Sequence, residues 1–139
     1  MKIRLANIND AEALFELNKN FGNTTTIDRL KKSLESNNAE IVCVAYDGGA
    51  LAGFCSGLIV QSMCHATCRG HIEALYVRDE HRRQGLAHRL IGFLEQAYAA
   101  RGIKHFHIDA ETDNPAALGL YKKLGYAAAG EILMDKTIV

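Results

Sequence analysis

The chain has 139 residues, 48% of them apolar and 23% charged, with 16 basic and 16 acidic side chains and a formal net charge of zero. That is the balance of a single globular domain, residues 1–139, large enough to bury a core. It supplies no global field to attract nucleic acid or an anionic membrane, and no apolar run reaches the roughly 18 residues of a spanning helix.

Lys2 to Ala6 alternates and reads as a first strand. Asn9-Asp10 offers an N-cap to a short helix with Ala13, Leu14 and Leu17 on one face. Phe21-Gly22-Asn23 breaks it. Thr26 precedes a second helix, Ile27 to Ser36, with Ile27, Leu30 and Leu34 at helical spacing. Glu40 to Tyr46 and Ala50 to Val60 are strands joined by the hairpin turn Asp47-Gly48-Gly49. Gln61 to Arg69 is a loop, and Gly70 to Val77 a third β-prone run. Gln84 to Arg101 is the longest helix, with Leu86, Leu90, Leu94 and Ala97 inward and Gly102 ending it. Lys104 to Ala110 is a strand. Pro115 opens a helix running to Leu124, and Glu131 to Val139 can form a last strand. The order predicts an α/β fold with a mixed, mostly antiparallel sheet. One parallel crossover runs from strand 70–77 through helix 84–101 to strand 104–110.

The N-terminus runs directly into strand-like pattern and lacks a signal-peptide apolar region, so a cytoplasmic location is expected. Of the four cysteines, Cys43 and Cys55 sit in apolar runs, where a free thiol behaves as a small hydrophobe. Cys64 and Cys68 flank a loop with His65, but the ligands are few and the spacing is not that of a zinc finger. Reduced thiols and no metal are expected.

The most informative stretch is Leu75 to Ala87. An apolar strand ends in a polar turn, two arginines and a glycine follow, and a long amphipathic helix begins. The first N–H groups of a helix lack partners and carry the positive end of its dipole. Gly85 lets a ligand approach the backbone, and Arg82 and Arg83 add charge. Together these make a pyrophosphate cradle.

This turn, Arg82-x-x-Gly85-x-Ala87, resembles the acetyl-CoA-binding motif of the GNAT superfamily of N-acetyltransferases. A second segment, Asn114-x-x-Ala117-x-x-x-Tyr121-x-x-x-Gly125-Tyr126, is similar to the family's other cofactor motif, in the family's order and separation. The specific resemblance spans His71 to Tyr126. It implies the GNAT fold, in which the fourth and fifth strands splay and acetyl-CoA enters the gap. Leu75, Tyr76 and Val77 would then offer backbone groups to the pantetheine as to an added strand. Arg82, Arg83, Gln84, Gly85, Leu86, Ala87 and His88 would wrap the pyrophosphate. Asn114 and Tyr121 would flank the pantetheine arm and the sulfur.

Acetyl transfer needs an amine that loses a proton, a polarised thioester carbonyl and a proton for the leaving thiolate. The family usually attacks directly, so no nucleophilic cysteine is required. Tyr121 matches the tyrosine near the cofactor sulfur, and a phenol is a suitable donor to a thiolate; an inward-packed aromatic is the plainer reading. Residues two apart on a strand share a face, so His71, Glu73 and Leu75 are expected on one face. There several relatives hold their base, and the serotonin N-acetyltransferases have histidines at the places of His71 and Glu73. Glu73, acting through water, leads, with His71 second; a solvated polar strand face is the alternative. His105, His107 and Asp109 share a face of the next strand. Asp109 lies where ribosomal-protein N-terminal acetyltransferases place a Glu. A metal on that single strand is disfavoured because its ligands would not converge.

The expectation is an acetyl-CoA-dependent N-acetyltransferase that acts by direct attack of a primary amine on a small molecule or peptide. Its partners would be acetyl-CoA, an amine acceptor and, since the region after Tyr126 is short, a second copy in a homodimer. The rivals are a non-catalytic acyl-CoA-binding domain on the same fold and a nucleotide-binding module. The latter lacks both the Gly-x-x-x-x-Gly-Lys-Ser/Thr and the Gly-x-Gly-x-x-Gly fingerprints.

Overall fold

The computed structural model describes residues 1–36 and 39–139. Strands β1 (Lys2–Leu5), β2 (Glu40–Asp47), β3 (Ala50–Val60), β4 (Arg69–Val77) and β5 (Phe106–Ile108) form one five-stranded sheet in sequence order. The first three pairings are antiparallel; β4 and β5 are parallel. The helices are α1 (Ala11–Asn20), α2 (Ile27–Ser36), α3 (Leu86–Ala99) and α4 (Pro115–Lys123). The chain divides into two compact units, Met1–Asp109 and Ala110–Val139.

In the first unit, pleating sends alternate side chains to opposite faces. Val42, Val44 and Phe54 pack with Leu14, Leu17 and Leu34 of α1 and α2. Cys43 and Cys55, paired across β2 and β3 and both fully buried, belong to the opposite face, against α3. Burial pushes the Cys43 thiol up to about 12, and Cys55 in the same direction. Neither is a nucleophile at neutral pH, since only the thiolate attacks.

Helix α3 packs on this second face through Leu86, Leu90, Ile91, Leu94 and Tyr98, all buried. Ala97, expected inward, is only half-buried, because Tyr98 takes the inward position. The Tyr98 ring stacks on Phe106 at 5.3 Å between centroids. Its hydroxyl donates to the Leu58 carbonyl at 2.8 Å. The ring fits only because two positions facing it have no Cβ. A methyl on Gly57 would lie 2.0 Å from the Tyr98 hydroxyl, and one on Gly70 2.6 Å from the ring.

Three sequence expectations need correction. The first helix is not capped at Asn9-Asp10. Asn7 caps a 3₁₀ turn, Ile8–Asp10, that leads into α1, its side chain accepting from Asn9 N–H while Asp10 accepts from Asn7 N–H. Asp10 is buried and also takes two 2.8 Å bonds from Arg4 and one of 2.9 Å from Tyr46 Oη. Burial alone would raise its carboxyl, but these donors outweigh it and hold it below the ordinary value. Residues 131–139 form no strand; Ile132, Leu133, Met134, Ile138 and Val139 are exposed and bury no apolar face. Finally, α3 starts at Leu86, two residues later than expected, because Arg83 and Gly85 take positive φ, 61° and 76°, and so stand outside the helix.

The glycine-for-phenol fit yields a stability test. Gly70→Ala forces a methyl into a buried ring and is expected to cost about 1–3 kcal/mol through overpacking. Tyr98→Phe strips its partner from the Leu58 carbonyl at a similar cost of about 1–3 kcal/mol. Urea denaturation reads both; an unchanged midpoint for either variant refutes its part of this account.

Candidate active site

The ladder between β4 and β5 covers only Gly70–Ile72 against Phe106–Ile108. Beyond Ile72, β4 runs five more residues to Val77 with no strand on that side among the described residues. This is the expected parting of the two strands, and it leaves the edge at Leu75, Tyr76 and Val77 open for an extended ligand to pair with.

On the β3 side the register slips by one. Ser56 pairs with Ala74 but Gly57 with Ile72, so Glu73 is the extra residue of a β-bulge. A bulge re-aims side chains, and it overturns the expectation that His71, Glu73 and Leu75 share a face. Leu75 pairs with Cys55 on the α3 side. Glu73 instead lines a cavity on the α1 and α2 side together with its neighbours Ala74 and Tyr76. His71 pairs with Leu58 and His107, opposite to the face Tyr98 occupies.

The bulge and the short parallel ladder bring all three candidate bases together. His71 Nε2 stands 3.0 Å from Asp109 Oδ2 and 4.0 Å from Glu73 Oε2. His71 is the more sheltered, its side chain 25% exposed against 55% for Glu73 and 56% for Asp109. His105 and His107 turn to each other, Nε2 to Nε2 at 3.1 Å, rather than to this cluster. Among the described residues no three His, Cys, Asp or Glu side chains converge as metal ligands.

The cavity holds about 260 Å³ and is walled by Leu14, Leu30, Val42, Phe54, Ala74 and Tyr76. Its polar lining is Asn18, Asn23, Thr25, Glu40, Ser56 and Glu73. Tyr76 is fixed by stacking on Phe21 at 4.3 Å between centroids. Of the lining residues only Glu73 and Tyr76 are site candidates in the sequence. The others carry no local signal, because α1, a loop, α2 and three strands contribute to one hollow only after folding.

At the expected pyrophosphate turn, Gly85 caps α3 with its left-handed backbone, and the first helical bond runs from Arg89 N–H to Gly85 C=O. The N–H groups of Leu86, Ala87 and His88 therefore have no carbonyl one turn back. The two arginines differ. Arg82 is tied down, donating to Val77 C=O at 3.1 Å and to Asp79 at 3.1 Å. Arg83 is exposed, with no hydrogen bond or ion pair to any described residue. Gln84 reaches back to Glu80 C=O at 3.2 Å.

Asn114 and Tyr121 lie in the second unit. Asn114 caps α4, its side-chain oxygen accepting from Ala117 N–H at 3.1 Å. Tyr121 packs edge-on to Tyr126 at 6.3 Å between centroids.

The model of the acetyltransferase (GNAT) family matches residues 8–126. The chain belongs to this family. An acetyltransferase of Yersinia enterocolitica is 31% identical over 104 residues, covering 75% of this chain and 70% of that protein. A Yersinia pestis acetyltransferase is 35% identical over 71 residues, about half of each chain. In fold the chain is similar to an aminoglycoside acetyltransferase from an uncultured soil metagenomic sample, with a TM-score of 0.86, 20% identity and coverage of 99% of this chain and 95% of that one. It is likewise similar to the aminoglycoside N-acetyltransferase AAC(6')-Iy, solved with CoA, with a TM-score of 0.84, 18% identity and coverage of 99% and 100%. The mixed sheet with parting β4 and β5 is the GNAT fold.

Gly85→Asp tests the cofactor turn in this GNAT protein. Asp tolerates the left-handed backbone better than most residues, so the change chiefly places a negative charge where phosphates would approach. Acetyl-CoA affinity is expected to fall at least about tenfold, or 1.4 kcal/mol. Unchanged affinity by calorimetry in a folded variant removes the turn from the site.

Proposed function

We propose that residues 1–139 are one N-acetyltransferase domain that moves the acetyl group of acetyl-CoA directly onto a primary amine of a small molecule or peptide. The observation that carries this reading is the β4 bulge, which turns Glu73 into the cavity beside the strand edge that β5 leaves open.

The pantetheine pairs along Leu75 to Val77. The pyrophosphate takes the N–H groups of Gly85 to His88, with Arg83 as the mobile cation and Arg82 stiffening the turn. Such N–H groups favour an anion without further reorganisation. The acceptor amine enters the cavity. Glu73, directly or through a water, takes its proton, and His71 backed by Asp109 stands next in line. The amine nitrogen bonds to the thioester carbon, the carbon–sulfur bond breaks, and the CoA thiolate receives a proton from Tyr121. The support for Tyr121 is its place in the second cofactor motif; the support for Glu73 is its position in the cavity.

A reducing cytoplasm fits acetyl-CoA use and four free thiols. A homodimer through residues 130–139 fits the exposed apolar side chains there. Sedimentation at tens of micromolar is expected to show a dimer; a monomer with and without CoA refutes that assembly.

The chemical step separates the roles. Tyr121→Phe keeps the ring but removes the proton, and transfer is expected to slow by roughly 10²–10⁴ with acetyl-CoA affinity little changed. Glu73→Gln is expected to lose most at low pH and recover as pH rises, because the amine then deprotonates unaided. Near-native turnover in Tyr121→Phe makes Tyr121 a packing residue. If Glu73→Gln is silent across pH while His71→Ala is impaired, the base is His71.

A further inference from the structure

Among the described residues the charged groups lining the cavity are Glu40 and Glu73, both acidic, and no Lys, Arg or His lines it. In a chain of zero net charge this is a local excess of two negative charges. The amides in the lining are already committed. Asn18 donates to Leu14 C=O at 2.8 Å and accepts from Asn23 at 2.9 Å, and Tyr76 Oη approaches Asn23 at 3.4 Å. Glu40 is held by a 2.8 Å bond from Ser33 Oγ to one oxygen, and its second oxygen takes no hydrogen bond from any described residue. Ser56 is only 6% exposed, faces the cavity, and its hydroxyl has no hydrogen bond among the described residues. The hydroxyl opens into the hollow and is available to an occupant.

The sheet sets the spacing of these groups. Glu40 on β2, Leu58 on β3 and His71 on β4 form one cross-strand row; Val42, Ser56 and Ala74 form the next, with Glu73 bulged beside it. Strands lie 4.7–4.9 Å apart and each residue advances about 3.3 Å along a strand, so with Glu73 offset from the Glu40 row the backbones carrying the two carboxylates are about 10–12 Å apart. Each carboxylate needs about 2.8 Å to reach an ammonium nitrogen. Two nitrogens separated by roughly three to five carbons bridge the gap, with Ser56 between them.

Resting on the acetyl-transfer reading, we propose that the acceptor is a compact amine carrying two amino groups. The one at Glu73 loses its proton and is acetylated; the other stays an ammonium, held by Glu40 and the Ser56 hydroxyl. A free carboxylate on the acceptor would face Glu40 and is repelled.

The test measures CoA release with three four-carbon acceptors: the diamine putrescine, butylamine and γ-aminobutyrate. Putrescine is expected to exceed each of the others at least about tenfold in kcat/KM. Glu40→Gln, which keeps the shape and the Ser33 contact, should cut that preference about tenfold, and Ser56→Ala should cut it less. Equal use of butylamine, or a preference that survives Glu40→Gln, overturns the dicationic acceptor and leaves acetyl transfer standing. No CoA release from any amine, although acetyl-CoA binds, overturns the transfer reading instead. Calorimetry of putrescine on the CoA-bound protein then still reads the cation site: heat lost in Glu40→Gln supports it, and no heat in the native protein overturns it.

Discussion

One buried phenol holds the working parts of this acetyltransferase together. Tyr98 projects from α3 into a space opened by two missing Cβ atoms, at Gly57 on β3 and Gly70 on β4, and bonds the backbone of β3 at Leu58. Helix α3 begins at the turn proposed for the cofactor, and His71 stands beside Glu73 on the strand that floors the cavity. The anchor thus ties that proposed turn to a strand carrying candidate bases. Burial raises the Tyr98 hydroxyl well above the ordinary tyrosine value; it remains a neutral hydrogen-bonding group and not a second acid.

The chemistry depends on two interruptions of regular sheet. A five-residue stretch of β4 without β5 leaves backbone groups unpaired by strand, and one extra residue in β4 breaks the alternation, so that Glu73 keeps the cavity side with His71 while Leu75 turns toward α3. A sheet without them would pair the strand edge with protein and set Leu75 on the face of Glu73. The acidic hollow follows from the same geometry, since rows across β2, β3 and β4 bring Glu40, Ser56 and Glu73 to one surface.

The Arg4–Asp10–Tyr46 network performs a comparable service at the far edge of the sheet. Asp10 satisfies a backbone N–H of the turn before α1 while holding β1 and β2 side chains. Removing one partner from such a buried set leaves the others unsatisfied. That gives the short edge strand β1 a fixed position under the helix that walls the cavity.

Local chemistry made much of this legible in the chain itself. Period-two runs placed four of the five strands closely, and Ile27, Leu30 and Leu34 delimited α2 to the residue. Gly48 and Gly49 marked the hairpin, and Arg82-x-x-Gly85-x-Ala87 announced a helix N-terminus suited to an anion. These signals act through backbone propensity and neighbours within a turn or two, so no tertiary information is needed to read them. Tyr98 gave no such signal, because an aromatic on a helix reads as ordinary core until Gly57 and Gly70 are seen opposite it. The end of the chain shows the converse: Glu131 to Val139 has strand-like pattern but finds no partner strand, and a strand exists only by pairing. The sequence by itself determined most of the elements, a helix N-terminus suited to an anion, and the family. Tertiary structure alone decided that His71, Glu73 and Asp109 meet, and that Glu40 and Ser56 face Glu73 across one cavity. Those relations depend on a register shift and on strand order, which couple residues tens of positions apart and leave no trace in any local window.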